Sequence, residues 1–176
     1  MLYMVEIIPL LHHLYLSLPE NETKSVLDVG PQNFAGTALL ADLHSKASFN
    51  RLKLQVSAVD IVRKFTLLKQ LIAPEIEFFV GNVYDIYPRK FDVVIASHVV
   101  EHVPDPLGFV RALQRIANDF VIVSAPWKEA PLSRSHVNTF DERLIEEMGA
   151  LNLKISVNYC WGKAREVCLF QLPPLS

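Results

Sequence analysis

From Ser25 onward the chain alternates short apolar runs with segments of helical spacing. Ser25 to Val29 predicts a strand, Ala38 to Leu43 a helix, and Leu54 to Val59 a second strand ending at Asp60. Apolar residues at Val62, Phe65, Leu68, Leu71 and Ile72 recur at helical spacing and stop before Pro74, which disfavours helix in the residue ahead of it. Ile76 to Val80, closed by Gly81, predicts the third strand, and Phe91 to Ala96 the fourth. That fourth run is apolar without interruption, the pattern of a strand buried on both faces of a parallel sheet. Asp105 and Pro106 then open a helix to Ile116, an N-capping side chain followed by proline in the first turn. Phe120 to Ala125 predicts the fifth strand. Thr139-Phe140-Asp141-Glu142 reads as a capping box, with Gly149 as the stop of the helix it opens. Leu153 to Cys160 and Glu166 to Leu172 complete the set as two strands joined through Gly162. Alternating strands and helices predict a parallel, doubly wound α/β sheet, and the last two strands are too closely linked for a crossover, so they pair antiparallel.

The segment before Ser25 has a different character. Met1 to Leu18 is apolar but interrupted by Glu6, Pro9, His12 and His13, which argues against the roughly 20 apolar residues of a membrane span. A secretory signal would want a positively charged start and a small-residue cleavage site, and neither is present. The expected role is a helical cover over residues 1–20, or a subunit contact in a homo-oligomer, ahead of a main domain at 21–176. The polar run at 19–23 separates the two. His12 and His13 leave a helix in different directions and do not suggest a shared metal site.

At 176 residues the chain fits one domain with a core of its own, and a net charge of −2 with no basic stripe gives no electrostatic case for a nucleic-acid partner. Cys160 and Cys168 form no metal pattern. They read as two reduced thiols of a cytoplasmic protein, a disulfide being the alternative. No metal is expected.

The most informative stretch is Phe91-Asp92-Val93-Val94-Ile95-Ala96-Ser97-His98-Val99-Val100-Glu101-His102-Val103-Pro104-Asp105-Pro106. It passes from buried strand to polar crest to new helix, and in open α/β sheets ligands sit at such carboxyl ends of strands. Its wording resembles the motif after the fourth strand of class I S-adenosylmethionine-dependent methyltransferases. Val26-Leu27-Asp28-Val29-Gly30 resembles the opening of that family's glycine motif, and Gly81-Asn82-Val83-Tyr84-Asp85 is similar to its acidic motif after the third strand. The resemblance covers roughly residues 25 to 172. It implies a three-layer Rossmann-like methyltransferase fold: a mostly parallel seven-stranded sheet ending in an antiparallel hairpin, with helices on both faces.

The resemblance also implies a cofactor, S-adenosylmethionine, and a set of contacts to it. Asp28, Gly30, Pro31 and Gln32 belong to the loop that approaches the cofactor. Gln32 and Phe34 stand where the family usually has glycine, so the loop either runs a longer path to Gly36 or partly fills the pocket. A plain strand-to-helix turn is the alternative. Asp60, with Ile61 beside it, would receive the ribose hydroxyls; Asp60 could also cap the following helix. Asn82 replaces the family's acid at the adenine, and its amide oxygen can still accept a hydrogen bond; Gly81-Asn82 could equally be a turn. Val83 would serve the adenine ring through its backbone. Ser97 and His98 would meet the methionine part of the cofactor and the acceptor. Glu101 and His102 match the family's Glu-His pair, without an assigned role. His136 is a candidate general base for an acceptor hydroxyl, as His98 is a candidate catalytic residue; a structural place near the acceptor mouth is the alternative for His136. The implied reaction is methyl transfer to a small-molecule or glycan-precursor acceptor. Two other readings are a methyltransferase-fold protein acting as a binding or scaffold subunit, and, further off, a nicotinamide-binding enzyme. The missing G-x-G-x-x-G spacing and the terminal hairpin count against the last.

Overall fold

The computed structural model describes residues 4–19, 22–159 and 164–175. Seven strands form one sheet: β1 (Thr23–Val29), β2 (Lys53–Asp60), β3 (Glu77–Val80), β4 (Phe91–Ser97), β5 (Ala117–Pro126), β6 (Leu151–Asn158) and β7 (Arg165–Leu172). Their spatial order is β3-β2-β1-β4-β5-β7-β6. The first five pair in parallel, and β7 pairs antiparallel with both β5 and β6. Among the described residues five α-helices flank the sheet: α1 (Met4–Leu14), α2 (Ala35–Leu43), α3 (Phe65–Ile72), α4 (Pro106–Ile116) and α5 (Glu142–Glu147). This is the mostly parallel sheet with an antiparallel end that the motif order predicts.

Side chains alternate across a strand, and β4 shows what that does here. Val93 and Ile95 face one side, packing with Val26, Leu40 and Ile122 beneath α1 and α2. Val94 and Ala96 face the other, with Leu27, Val121, Leu113 of α4 and Ile145 of α5. A continuous apolar run is therefore the correct code for a strand with a core on each face. Helix α1 contributes Met4, Ile7 and Leu11 to the first core. Among the described residues, no helix is long and apolar enough to cross a membrane.

Several boundaries differ from the sequence expectation. Helix α3 starts at Phe65 rather than Val62, because the Asp60 carboxylate takes the Val62 N–H at 2.8 Å and holds that stretch in a turn. Strand β5 starts at Ala117, three residues before the apolar run. The capping box is not formed. Asp141, not Thr139, caps α5, its carboxylate accepting from Leu144 N–H at 3.0 Å. The stop at Gly149 is as expected: φ is +71°, and the N–H groups of Gly149 and Ala150 return to the carbonyls of Glu146 and Ile145. Cys168 is a free thiol, pushed up to about 12 by burial. Cys160 and the turn at Gly162 lie outside the described residues.

Leu11 is fully buried between α1 and the sheet. Leu11→Ala is expected to cost about 2–5 kcal/mol in urea unfolding. A loss below 0.5 kcal/mol, roughly the level of a surface substitution, would mean that α1 is not packed on the sheet.

Candidate active site

The sheet's central strands, β1 and β4, end side by side, and the loops that leave them nearly touch. Gly30 has φ +72°, and a Cβ built there would lie 2.6 Å from Val99 Cγ2. Both facts require glycine. The Gly30 N–H is held by the Val59 carbonyl at 2.8 Å. After Gly30 the backbone is left-handed again at Gln32 (φ 53°) and Phe34 (φ 61°). That second turn swings Phe34 out of the crevice and into the core, where it is fully buried with Ala58, Ala73 and Ile76 and meets Phe78 edge-on at 5.0 Å. Gln32 is exposed at the rim, and its backbone N–H is bound by the Asp60 carboxylate. Of the two alternatives for this loop, Phe34 does not fill the cleft, and Gln32 stands in its lining. A cleft of about 1100 Å³ remains open.

Asp28, Gly30, Pro31, Gln32, Asp60, Ile61, Asn82, Val83, Ser97, His98 and His136 all line that one cleft. Asp28 is buried and receives the Thr37 hydroxyl at 2.6 Å. Burial pushes its carboxyl up to about 7, against the opposing Thr37 hydrogen bond. Asp60 is also raised by burial, although the N–H groups of Val62, Gln32 and Ile61 hold its charged form. The Asn82 side chain accepts from Tyr84 N–H at 3.3 Å and caps the 3-10 turn Val83–Asp85. His98 has φ 55°, its N–H donates to Ser124 O at 2.8 Å, and its Nδ1 lies 3.2 Å from Glu101 Oε1.

The other end of the cleft is built by the 3-10 turn Val100–His102, the loop between β5 and α5, and Arg165 at the start of β7. Val137 N–H donates to Glu101 O at 2.8 Å, and Asn138 Nδ2 to Val103 O at 2.6 Å, so the loop is laced to the turn. His102 and His136 then stand 4.7 Å apart between ring centroids, at 78°. His102 Nδ1 meets Ser135 O at 2.9 Å, and His136 Nδ1 meets the Glu129 carboxylate. Glu129 also accepts from Ser133 Oγ at 2.6 Å and Arg165 Nη1 at 2.5 Å. Burial works to raise its carboxyl, yet the hydrogen bonds from Ser133 and His136 outweigh it and hold the group below its usual range. Sequence reasoning missed Glu129, Ser133 and Arg165. Glu129 and Ser133 share one loop, Arg165 is distant along the chain, and none of the three belongs to a motif.

Fold and cleft define a Rossmann-like α/β protein with a ligand crevice where strand order reverses. A family model described as a methyltransferase domain matches residues 6–149, and the chain belongs to that family. It is 31% identical over 99 residues to the ubiquinone biosynthesis O-methyltransferase of Actinobacillus pleuropneumoniae serotype 7 (strain AP76), covering 53% of this chain and 41% of that protein. It is 26% identical over 137 residues to the ajmaline N-methyltransferase of Rauvolfia serpentina, covering 75% and 46%. The chain thus spans less than half the length of these curated relatives. Among solved structures, its fold matches the 1,6-didemethyltoxoflavin-N1-methyltransferase of Burkholderia thailandensis, crystallised with 1,6-didemethyltoxoflavin and S-adenosylhomocysteine. The TM-score is 0.68 at 17% identity, with 97% of this chain and 78% of that chain covered. The magnesium protoporphyrin IX methyltransferase of Synechocystis PCC 6803 with bound SAM matches at TM-score 0.65 and 16% identity, over 96% and 78%.

Because the folded-state carboxyl of Asp28 is raised from 3.8 to about 7, the folded protein holds a proton there that the unfolded chain has released. Its stability contribution is therefore full below the unfolded value and is lost as pH rises through 7. Relative to Asp28→Asn, the wild type should lose stability between pH 5 and 7 with a slope of at most about 1.4 kcal/mol per pH unit. Urea unfolding of both proteins at pH 5, 6, 7 and 8 measures this; parallel profiles would show that Asp28 is ionised throughout.

Proposed function

We propose that this protein transfers a methyl group from S-adenosylmethionine to a heteroatom of a small-molecule acceptor. The observation that carries this reading is one open cleft joining two chemically distinct ends. The Gly30–Asp60–Asn82 end has the make-up of a nucleoside site, and the His102–His136 end lies across the β4 crest from it. Family membership and the relatives that act on oxygen or nitrogen support it. In this reading Asp60 accepts the ribose hydroxyls, with Ile61 against the ring. Asn82 and the Val83 backbone serve the adenine, and the backbone from Asp28 to Gln32, with Ser97 and His98, frames the methionine part.

The chemistry asks little covalent work of the protein. A lone pair on the acceptor forms a bond to the methyl carbon. The carbon–sulfur bond breaks, its electron pair stays on sulfur, and S-adenosylhomocysteine and a proton leave. The sulfonium is activated before it arrives, so the protein's share is in-line alignment and exclusion of water. A glycan precursor is one acceptor class that fits a polar, histidine-lined mouth.

Calorimetric titration with S-adenosylhomocysteine should give micromolar binding. Asp60→Ala removes a charged acceptor of two hydroxyls and should weaken it by roughly tenfold or more, since hydrogen bonds to charged groups contribute about 1.5–3 kcal/mol. Absence of heat at millimolar ligand would contradict the reading.

A further inference from the structure

The far end of the cleft contains a buried carboxyl group that methyl transfer alone does not explain. Glu101 is 1% exposed. One carboxylate oxygen meets His98 Nδ1 at 3.2 Å, and the other, Oε2, finds no hydrogen-bond donor among the described residues. Burying an ionised carboxylate with one oxygen unsatisfied is costly unless a positive group completes it. Two imidazoles are in place beside it. One possible ligand atom from each of Glu101, His102 and His136 falls within 4.8 Å of the others.

The tautomers of both rings follow from their partners. His102 Nδ1 faces a backbone carbonyl, that of Ser135, and His136 Nδ1 faces the Glu129 carboxylate. Neither oxygen can donate, so each ring places its proton on Nδ1 and leaves the Nε2 lone pair available. An imidazole backed in this way by a carbonyl or a carboxylate is the usual arrangement behind a metal-bound histidine. The hydrogen bonds that tie the Val137 backbone and the Asn138 side chain to the 100–103 turn are what bring His136 to His102.

We propose that Glu101, His102 and His136 form a site for a divalent transition-metal ion, with Glu129 and Ser135 orienting the two imidazoles. Two imidazoles and one carboxylate suit zinc or iron(II) rather than the all-oxygen shells of magnesium or calcium. Tetrahedral ligands at about 2.0–2.1 Å from zinc stand about 3.4 Å apart. The three atoms, within 4.8 Å of one another, must therefore close by up to about 1.4 Å when the ion binds. Three protein ligands leave a coordination position open. This last step rests on the methyl-transfer reading: that position takes an acceptor hydroxyl, whose proton passes to solvent before its oxygen attacks the methyl carbon. His136 is then a ligand and not a base, its lone pair being committed to the cation.

The test is titration of the chelator-stripped chain with Zn²⁺ by calorimetry, beside a separate titration with S-adenosylhomocysteine. One Zn²⁺ per chain is expected at micromolar or tighter affinity, weakened at least tenfold by His102→Ala and by His136→Ala. Glu129→Gln, which leaves every ligand in place, should weaken it by about tenfold. Affinity for S-adenosylhomocysteine should persist in all three variants, and should an alanine variant fail to fold, Glu129→Gln decides. No Zn²⁺ binding at millimolar metal, or binding that all the folded variants retain unchanged, overturns the site. If Zn²⁺ binds as stated while S-adenosylhomocysteine does not, the donor reading fails and the metal site stands.

Discussion

The contact between Gly30 and Val99 is the constraint on which both ends of the cleft depend. It forces β1 and β4, neighbours at the centre of the sheet, to release their chains past each other with no room for a side chain at position 30. On one side, the chain leaving Gly30 reaches α2 through left-handed residues that bury Phe34 and aim the Gln32 N–H at Asp60. On the other, Val99 leads directly into the 3-10 turn that carries Glu101 and His102. A larger residue at 30 would displace both ends of the cleft together.

The two ends differ in electrostatic character. Where Asp28 and Asp60 line the cleft, burial raises both carboxyls, and the charge of Asp60 adds to the rise at Asp28. Such a wall gains when a cation is brought near it, and a sulfonium is a cation. At the far end the single carboxylate of Glu129 is over-supplied with donors from Ser133, His136 and Arg165, which makes it a rigid anchor for an imidazole. Asp28 and Asp60 are carboxyls raised by burial, whereas hydrogen bonds hold Glu129 below its usual range, and that asymmetry distinguishes the two ends.

Much of the fold was legible because β4 is buried on both faces and so shows an unbroken apolar run, while α4 carries its own cap and proline. The start of β5 was hidden because Asn118 and Asp119 interrupt the apolar pattern. The cap of α5 was ambiguous between Thr139 and Asp141, and the extended backbone at Asp141 settles it. The fate of Phe34 could not be read at all, since a positive φ at a non-glycine residue leaves no trace in hydrophobic patterning. The cleft residues from Asp28 to Gln32 and at Asn82 and Val83 announced themselves through contiguous motifs. Glu129 and Arg165 did not, because they meet only after a loop and the terminal hairpin fold back over the cleft.

The most direct test of the whole arrangement is a crystal structure of the protein with S-adenosylhomocysteine. If the cleft serves the donor as proposed, the ribose hydroxyls will lie within hydrogen-bond distance of the Asp60 carboxylate, the adenine beside Asn82 and Val83, and Phe34 will remain in the core. Ligand bound elsewhere, or Phe34 turned into the crevice, would contradict it.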